Sequence, residues 1–166
     1  MVCFSKILFP TDFSEDWELQ FDFVVYFARL QKGKLYILHV ITKDYSHACM
    51  IPSLEVGPVP EMGVQVPVKG EFGEDEIKQK MFEVVQLSRK EGVIVEDLLA
   101  YGKPHAEILR ISKEREIDLI VMGNHEKSDF ERRILGGTIE RVVHKASCPV
   151  FIVNRSSYVP ERFQDT

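Results

Sequence analysis

Leu35-Tyr36-Ile37-Leu38-His39-Val40-Ile41 shows no regular alternation of apolar and polar side chains. A strand with one wet face would alternate, whereas a run this continuous suits a central parallel strand covered on both faces. Parallel strands need crossover connections, and the flanking sequence supplies them. Upstream, Lys6-Ile7-Leu8-Phe9 reads as a first strand stopped by Pro10. Ser14 is a candidate helix N-cap, with Glu15 and Asp16 suited to the positive end of the helix dipole. Leu19, Phe23, Phe27 and Leu30 follow at helical spacing, and Gly33 ends that helix.

Downstream, Glu74 to Glu91 reads as a helix with Ile77, Met81, Val84 and Val85 on one face, and Val93 to Leu99 as a third strand. Gly102-Lys103-Pro104 turns into a third helix, with Pro104 suited to its first position. Ile117 to Met122 forms a fourth strand. Gly136 to Lys145 forms a fourth helix with Ile139, Val142, Val143 and Ala146 inward, and Pro149 to Val153 a fifth strand. Strands alternating with helices imply an α/β fold, a doubly wound five-stranded parallel sheet with helices on both faces. Residues 1–154 form a single domain, followed by a polar tail over 155–166. Residues 43–73 break the alternation with Pro52, Pro58, Pro60, Pro67 and four glycines. A loop of that length is usually a lid, a partner contact or a disordered insert, and disorder or passive packing is the leading reading.

The 45% hydrophobic and 28% charged content is that of an ordinary globular chain rather than a disordered one. Its 166 residues suffice to bury a core without disulfides, and Cys3, Cys49 and Cys148 show no metal-type spacing, so free thiols are expected. No apolar run reaches the roughly 20 residues that span a bilayer, and the start MVCFSKILFPTD lacks the long apolar core of a signal peptide. A cytoplasmic protein without a membrane partner is expected. The net charge of −5 and the flanking of Arg132-Arg133 by acidic residues argue against nucleic acid as a partner.

In doubly wound sheets ligands sit beyond the carboxyl ends of the strands, where the strand order reverses. Pro10-Thr11-Asp12, Val40-Ile41, Gly102-Lys103-Pro104 and the segment from Gly123 onward fall there. Gly136-Gly137-Thr138 opens a helix, where free N–H groups and the dipole attract an anion; a tight turn capped by Thr138 explains the same residues. No P-loop lysine pattern and no Gly-x-Gly-x-x-Gly is present.

Four stretches carry a family resemblance: Lys6-Ile-Leu-Phe-Pro-Thr-Asp-Phe-Ser14, His39-Val-Ile41, Gly102-Lys-Pro104, and Val121-Met-Gly123 through Cys148-Pro-Val150. Together they resemble the universal stress proteins, in the branch that binds ATP. The resemblance implies a Rossmann-like fold, of the adenine nucleotide alpha hydrolase-like kind. It also implies an adenine-nucleotide site built from Pro10, Thr11, Asp12, Val40, Met122, Gly123, His125, Lys127, Ser128, Gly136, Gly137, Thr138 and Ile139. Asp12 would accept hydroxyl or amine protons from the nucleoside, with holding its own turn or capping the first helix as the lesser alternative.

That branch carries a glycine, two residues, a second glycine, nine residues, a third glycine and then Ser or Thr. Gly123 and Gly136 match the first and third glycines. Glu126 stands in place of the second glycine, and Gly137 in place of Ser or Thr. Glu126 disfavours the backbone freedom of glycine and repels phosphate, unless it points to solvent or shares a Mg2+ or Mn2+ ion with the nucleotide. ATP or another adenine nucleotide is the expected ligand, with AMP or ADP better suited than ATP.

No catalytic residue is assigned. His125-Glu126 lacks the second histidine of a zinc-protease helix, since Asp129 occupies that place, and His39, His47, His105 and His144 lie on separate elements. The resemblance implies a homodimer paired through Val150-Phe151-Ile152-Val153; the tail folding back over that edge is the alternative. Nucleotide-responsive signalling with an unknown protein partner is the leading reading. A dimeric interaction module that has lost nucleotide binding comes second, and slow ATP hydrolysis third.

Overall fold

The computed structural model describes residues 3–14, 17–42, 73–124 and 137–154. The insert before Gly73, the acidic pair Glu15-Asp16, Cys49, His47, the segment from His125 to Gly136 and the polar tail lie outside these residues. In chain order the elements are β1 (Lys6–Pro10), α1 (Trp17–Gln31), β2 (Lys34–Ile41), α2 (Glu74–Lys90), β3 (Ile94–Tyr101), α3 (Pro104–Glu114), β4 (Leu119–Asn124), α4 (Gly137–Lys145) and β5 (Val150–Asn154). The strands form one sheet in the order β3-β2-β1-β4-β5, and every pairing is parallel. Pro10 does not interrupt β1 but is its last residue, opposite Leu38.

Strand side chains alternate between two cores. Ile7, Phe9, Leu35, Ile37, Leu119 and Val121 meet Val24, Val25 and Ala28 of α1 and Ile77, Met81, Val84 and Val85 of α2. Leu8, Tyr36, Leu38, Ile120 and Met122 point the other way, onto Ile108 and Ile111 of α3 and Ile139 and Val142 of α4. Two helices thus cover each face, which is why β2 can bury residues of both parities. The sheet is doubly wound, and its strand order reverses between β1 and β4.

The inward stripe of α1 differs from the expectation. The helix buries Gln20, Phe21, Val24, Val25 and Ala28, while Leu19 and Leu30 are exposed, Leu30 at 59%. The segment is apolar almost all round, so helical spacing fits two stripes about 100° apart, and contact with the sheet selects one of them. Phe23 and Phe27 pack at the margin, where Phe27 meets Phe4 and Phe151 at ring-centroid distances of 6.0 and 5.8 Å. In α4, Val142 is fully buried but Val143 is exposed, one position round the helix from the stripe.

The end of α1 also differs in detail. Lys32, with φ of 53°, takes the left-handed conformation there. Gly33 is demanded by space: a Cβ would lie 2.6 Å from the Phe4 carbonyl oxygen. Glycine marked the helix end correctly, for a different physical reason.

Candidate functional site

The crevice at the reversal point lies between the carboxyl ends of β1 and β4. From β1 the chain leaves in a loop held by its own side chains. Thr11 N–H donates to the Leu38 carbonyl at 2.8 Å, and Phe13 N–H donates to Thr11 Oγ1 at 3.1 Å. Asp12 Oδ1 accepts from Ser14 N–H at 3.0 Å and from the Ser14 hydroxyl. The local role that sequence reading left open for Asp12 is therefore realised as an Asx turn. The carboxylate is exposed at the mouth of the crevice.

Phe13 adopts φ of 56°, unusual for a bulky residue. Burial over-determines this conformation: the ring stacks on His39 at 5.5 Å and meets Trp17 edge-on at 5.2 Å. His39 is 7% exposed, and its Nδ1 lies 2.9 Å from the Thr11 carbonyl oxygen. A carbonyl only accepts, so Nδ1 carries the proton of the neutral ring. The histidine thereby ties β2 to the loop bearing Asp12.

Burial lowers the His39 pKa from its ordinary 6.5, and the Thr11 carbonyl and the Asp12 charge offset this in part. Below 6.5 the unfolded chain binds a proton that the folded chain resists, so stability is full above that pH and declines as pH falls toward the lowered folded value. Between about pH 7 and pH 5 the wild type should lose more thermal stability than His39→Asn. His105, also lowered, titrates in both proteins and cancels in the comparison. Parallel stability profiles would show that His39 does not drive the loss.

Across the crevice, β4 ends in Met122, Gly123 and Asn124. Met122 and Ile139 are buried in the core under α3 and α4, so they can offer a ligand only their backbone. Val40 is half-buried and pairs with Ala100 in the sheet. Gly137 is exposed at the start of α4, where a Cβ would meet nothing, and Thr138 beside it is half-buried. Pro10, Thr11, Asp12 and Gly123 thus come together at the reversal point, and Gly137 and Thr138 begin the helix on its β4 side. His125, Lys127, Ser128 and Gly136 lie outside the described residues. Among the described residues no group of three or more His, Cys, Asp or Glu side chains is placed to hold a metal ion.

Sequence reading missed Gln20. It is 4% exposed, and a Cβ built on Gly123 would fall on its amide. Among the described residues its buried Nε2 finds no hydrogen-bond partner. The signal was present: Gln20 lies one turn before Val24, a polar residue on what proves to be the buried stripe.

The family model for the universal stress protein family matches residues 4–154. The chain belongs to the universal stress protein family. It is similar to universal stress protein MJ0577 of Methanocaldococcus jannaschii, 35% identical over 164 residues, covering 94% of this chain and 98% of that one. The solved structure of MJ0577 superposes with a TM-score of 0.68 at 28% identity, covering 95% of this chain and all of the other. A universal stress protein in complex with cAMP has a TM-score of 0.63 at 19% identity, covering 92% and 98% of the two chains. That of Archaeoglobus fulgidus in complex with dAMP has 0.57 at 22%, covering 91% and 98%. These last two likenesses concern the fold. Among the described residues no helix is long and apolar enough to cross a membrane.

Proposed function

We propose that this universal stress protein binds an adenine nucleotide in the β1–β4 crevice. It then acts as a cytoplasmic, homodimeric signalling module whose nucleotide-bound state a protein partner reads. The observation that supports this is the side-by-side placing of β1 and β4, whose carboxyl ends lead into the Thr11-Asp12 loop and Gly123, with His39 fixing the Thr11 carbonyl. Asp12 presents a carboxylate suited to ribose hydroxyls, and the first N–H groups of α4, which have no acceptor within their own helix, suit phosphate. The adenine nucleotides of the cAMP and dAMP complexes define the class of probe.

Glu126 and Gly137 set the order of affinities. A carboxylate about 4 Å from one phosphate charge costs about 1 kcal/mol in water and about 4 kcal/mol at an effective dielectric of 20. Where position 126 faces the phosphates, as the family pattern implies, each added phosphate meets more repulsion, so AMP and ADP should bind more tightly than ATP without a divalent cation. Mg2+ should narrow that gap. Calorimetric titration of nucleotide-stripped protein with ATP, ADP and AMP, with and without Mg2+, tests the reading, and micromolar binding is expected. Silence at millimolar ligand would favour the second reading, a dimeric interaction module whose altered loop has lost the nucleotide. The exposed Gly137, where a hydroxyl residue is the family pattern, is the observation behind that alternative.

A further inference from the structure

We propose that the side-chain amide of Gln20 is a phosphate-recognition group of the crevice, donating a hydrogen bond from Nε2 to a phosphate oxygen of the bound nucleotide. The inference rests on the nucleotide reading above and adds to it a residue on α1, outside the loops that follow β1 and β4.

Gln20 lies in the first described turn of α1, on the buried stripe with Phe21, Val24 and Val25. At 4% exposure the residue is buried, yet among the described residues Nε2 has no acceptor. Buried donors are almost always paired, so an unpaired one calls for a specific reason. Packing supplies none. Leucine or methionine would fill similar volume on this stripe with no unmet donor. The amide stands against the Cα of Gly123, so closely that a Cβ there would overlap it. Gly123 is the next-to-last residue of β4, where the strand opens into the crevice. The amide is therefore buried against the glycine that ends β4, beside β1 and the loop that carries Asp12.

The oxygen this donor suits follows from the chemistry around it. Asp12 is an acceptor and matches the hydroxyl groups of a ribose. An amide N–H matches an oxygen that only accepts, and phosphate provides several of these. A neutral donor next to a glycine also lets a phosphate approach the backbone closely without adding charge.

The test measures AMP and adenosine affinity of the full chain for wild type, Gln20→Leu and Gln20→Met, together with the thermal midpoint of each ligand-free protein. Both variants should keep or raise the midpoint, because they remove a buried unpaired donor. AMP affinity should fall about 10-fold to 100-fold, the effect of losing one hydrogen bond to a charged group. Adenosine affinity should stay within about twofold, since adenosine carries no phosphate. AMP binding equal to the wild type in folded variants would overturn the role of Gln20 and leave the nucleotide reading intact. Equal loss for AMP and adenosine would overturn the phosphate assignment. Wild-type protein that binds neither AMP nor ATP would overturn both.

Discussion

Gly123→Ala is expected to lower stability by about 1–3 kcal/mol, the usual range for forcing extra volume into a packed site, and, under the proposed function, to abolish nucleotide binding. The new Cβ would fall on the Gln20 amide, so either that side chain or the end of β4 must shift. Gln20 is held at 4% exposure between helix and sheet, which makes outward rotation costly. The double variant Gly123→Ala with Gln20→Ala should recover much of the stability, because the smaller side chain vacates the volume that the methyl needs. Residues in direct contact show coupling of about 0.5–3 kcal/mol, and a value in that range is expected here. Urea denaturation of the four proteins gives it directly. Strictly additive effects would mean that Gln20 yields freely and that glycine at 123 is not a packing requirement. Nucleotide affinity in the double variant is a separate readout, and it should remain low, since both the glycine and the amide are gone.

The second large effect concerns β5, the sheet edge next to β4. The register pairs Ile120 with Val150, and Ile120 N–H donates to the Pro149 carbonyl. In a parallel ladder the Phe151 N–H then faces β4, while the Ile152 N–H faces the open edge. Proline at these neighbouring positions should therefore act differently. Phe151→Pro removes a bond within the chain and an aromatic ring packed on Phe4 and Phe27, destabilising the fold by on the order of 3 kcal/mol. Ile152→Pro leaves the β4 ladder intact and removes a donor that only a second strand could use. Under the proposed homodimer, Ile152→Pro should yield folded monomer, seen by light scattering at unchanged far-ultraviolet dichroism. Phe151→Pro should lose fold and dimer together. A folded Ile152→Pro protein that remains dimeric would mean that the copies pair through another surface. Wild-type monomer at working concentration would mean that the edge is not an interface.

The same strand shows where sequence reading stops. Val150 to Val153 is recognisable as a strand, and its place at the end of the alternation points to an edge. Which of its N–H groups faces outward depends on the register against β4, and no residue of β5 encodes that alone. At Gly123 the match to a glycine motif was visible, but the steric demand was not, because it comes from Gln20 on a helix about a hundred residues away in the chain. Asp12 shows the opposite case: its Asx turn with Ser14 is local and was anticipated as one of two roles.

The sequence alone determined the element order and the α/β class. Period-2 and period-3.6 patterns report backbone geometry, and turn residues report backbone dihedrals, both within a few residues of where they are read. It also determined that β2 is central, because only a strand covered on both faces tolerates a run like Leu35 to Ile41. Tertiary structure decided which of two apolar stripes α1 buries, and with it that Gln20 rather than Leu19 packs against Gly123. It decided that Lys32 takes the left-handed turn while Gly33 makes room for the Phe4 carbonyl. It decided as well that His39 holds Thr11. Each of these outcomes depends on which atoms from distant segments compete for the same space, and that competition exists only once the sheet has assembled.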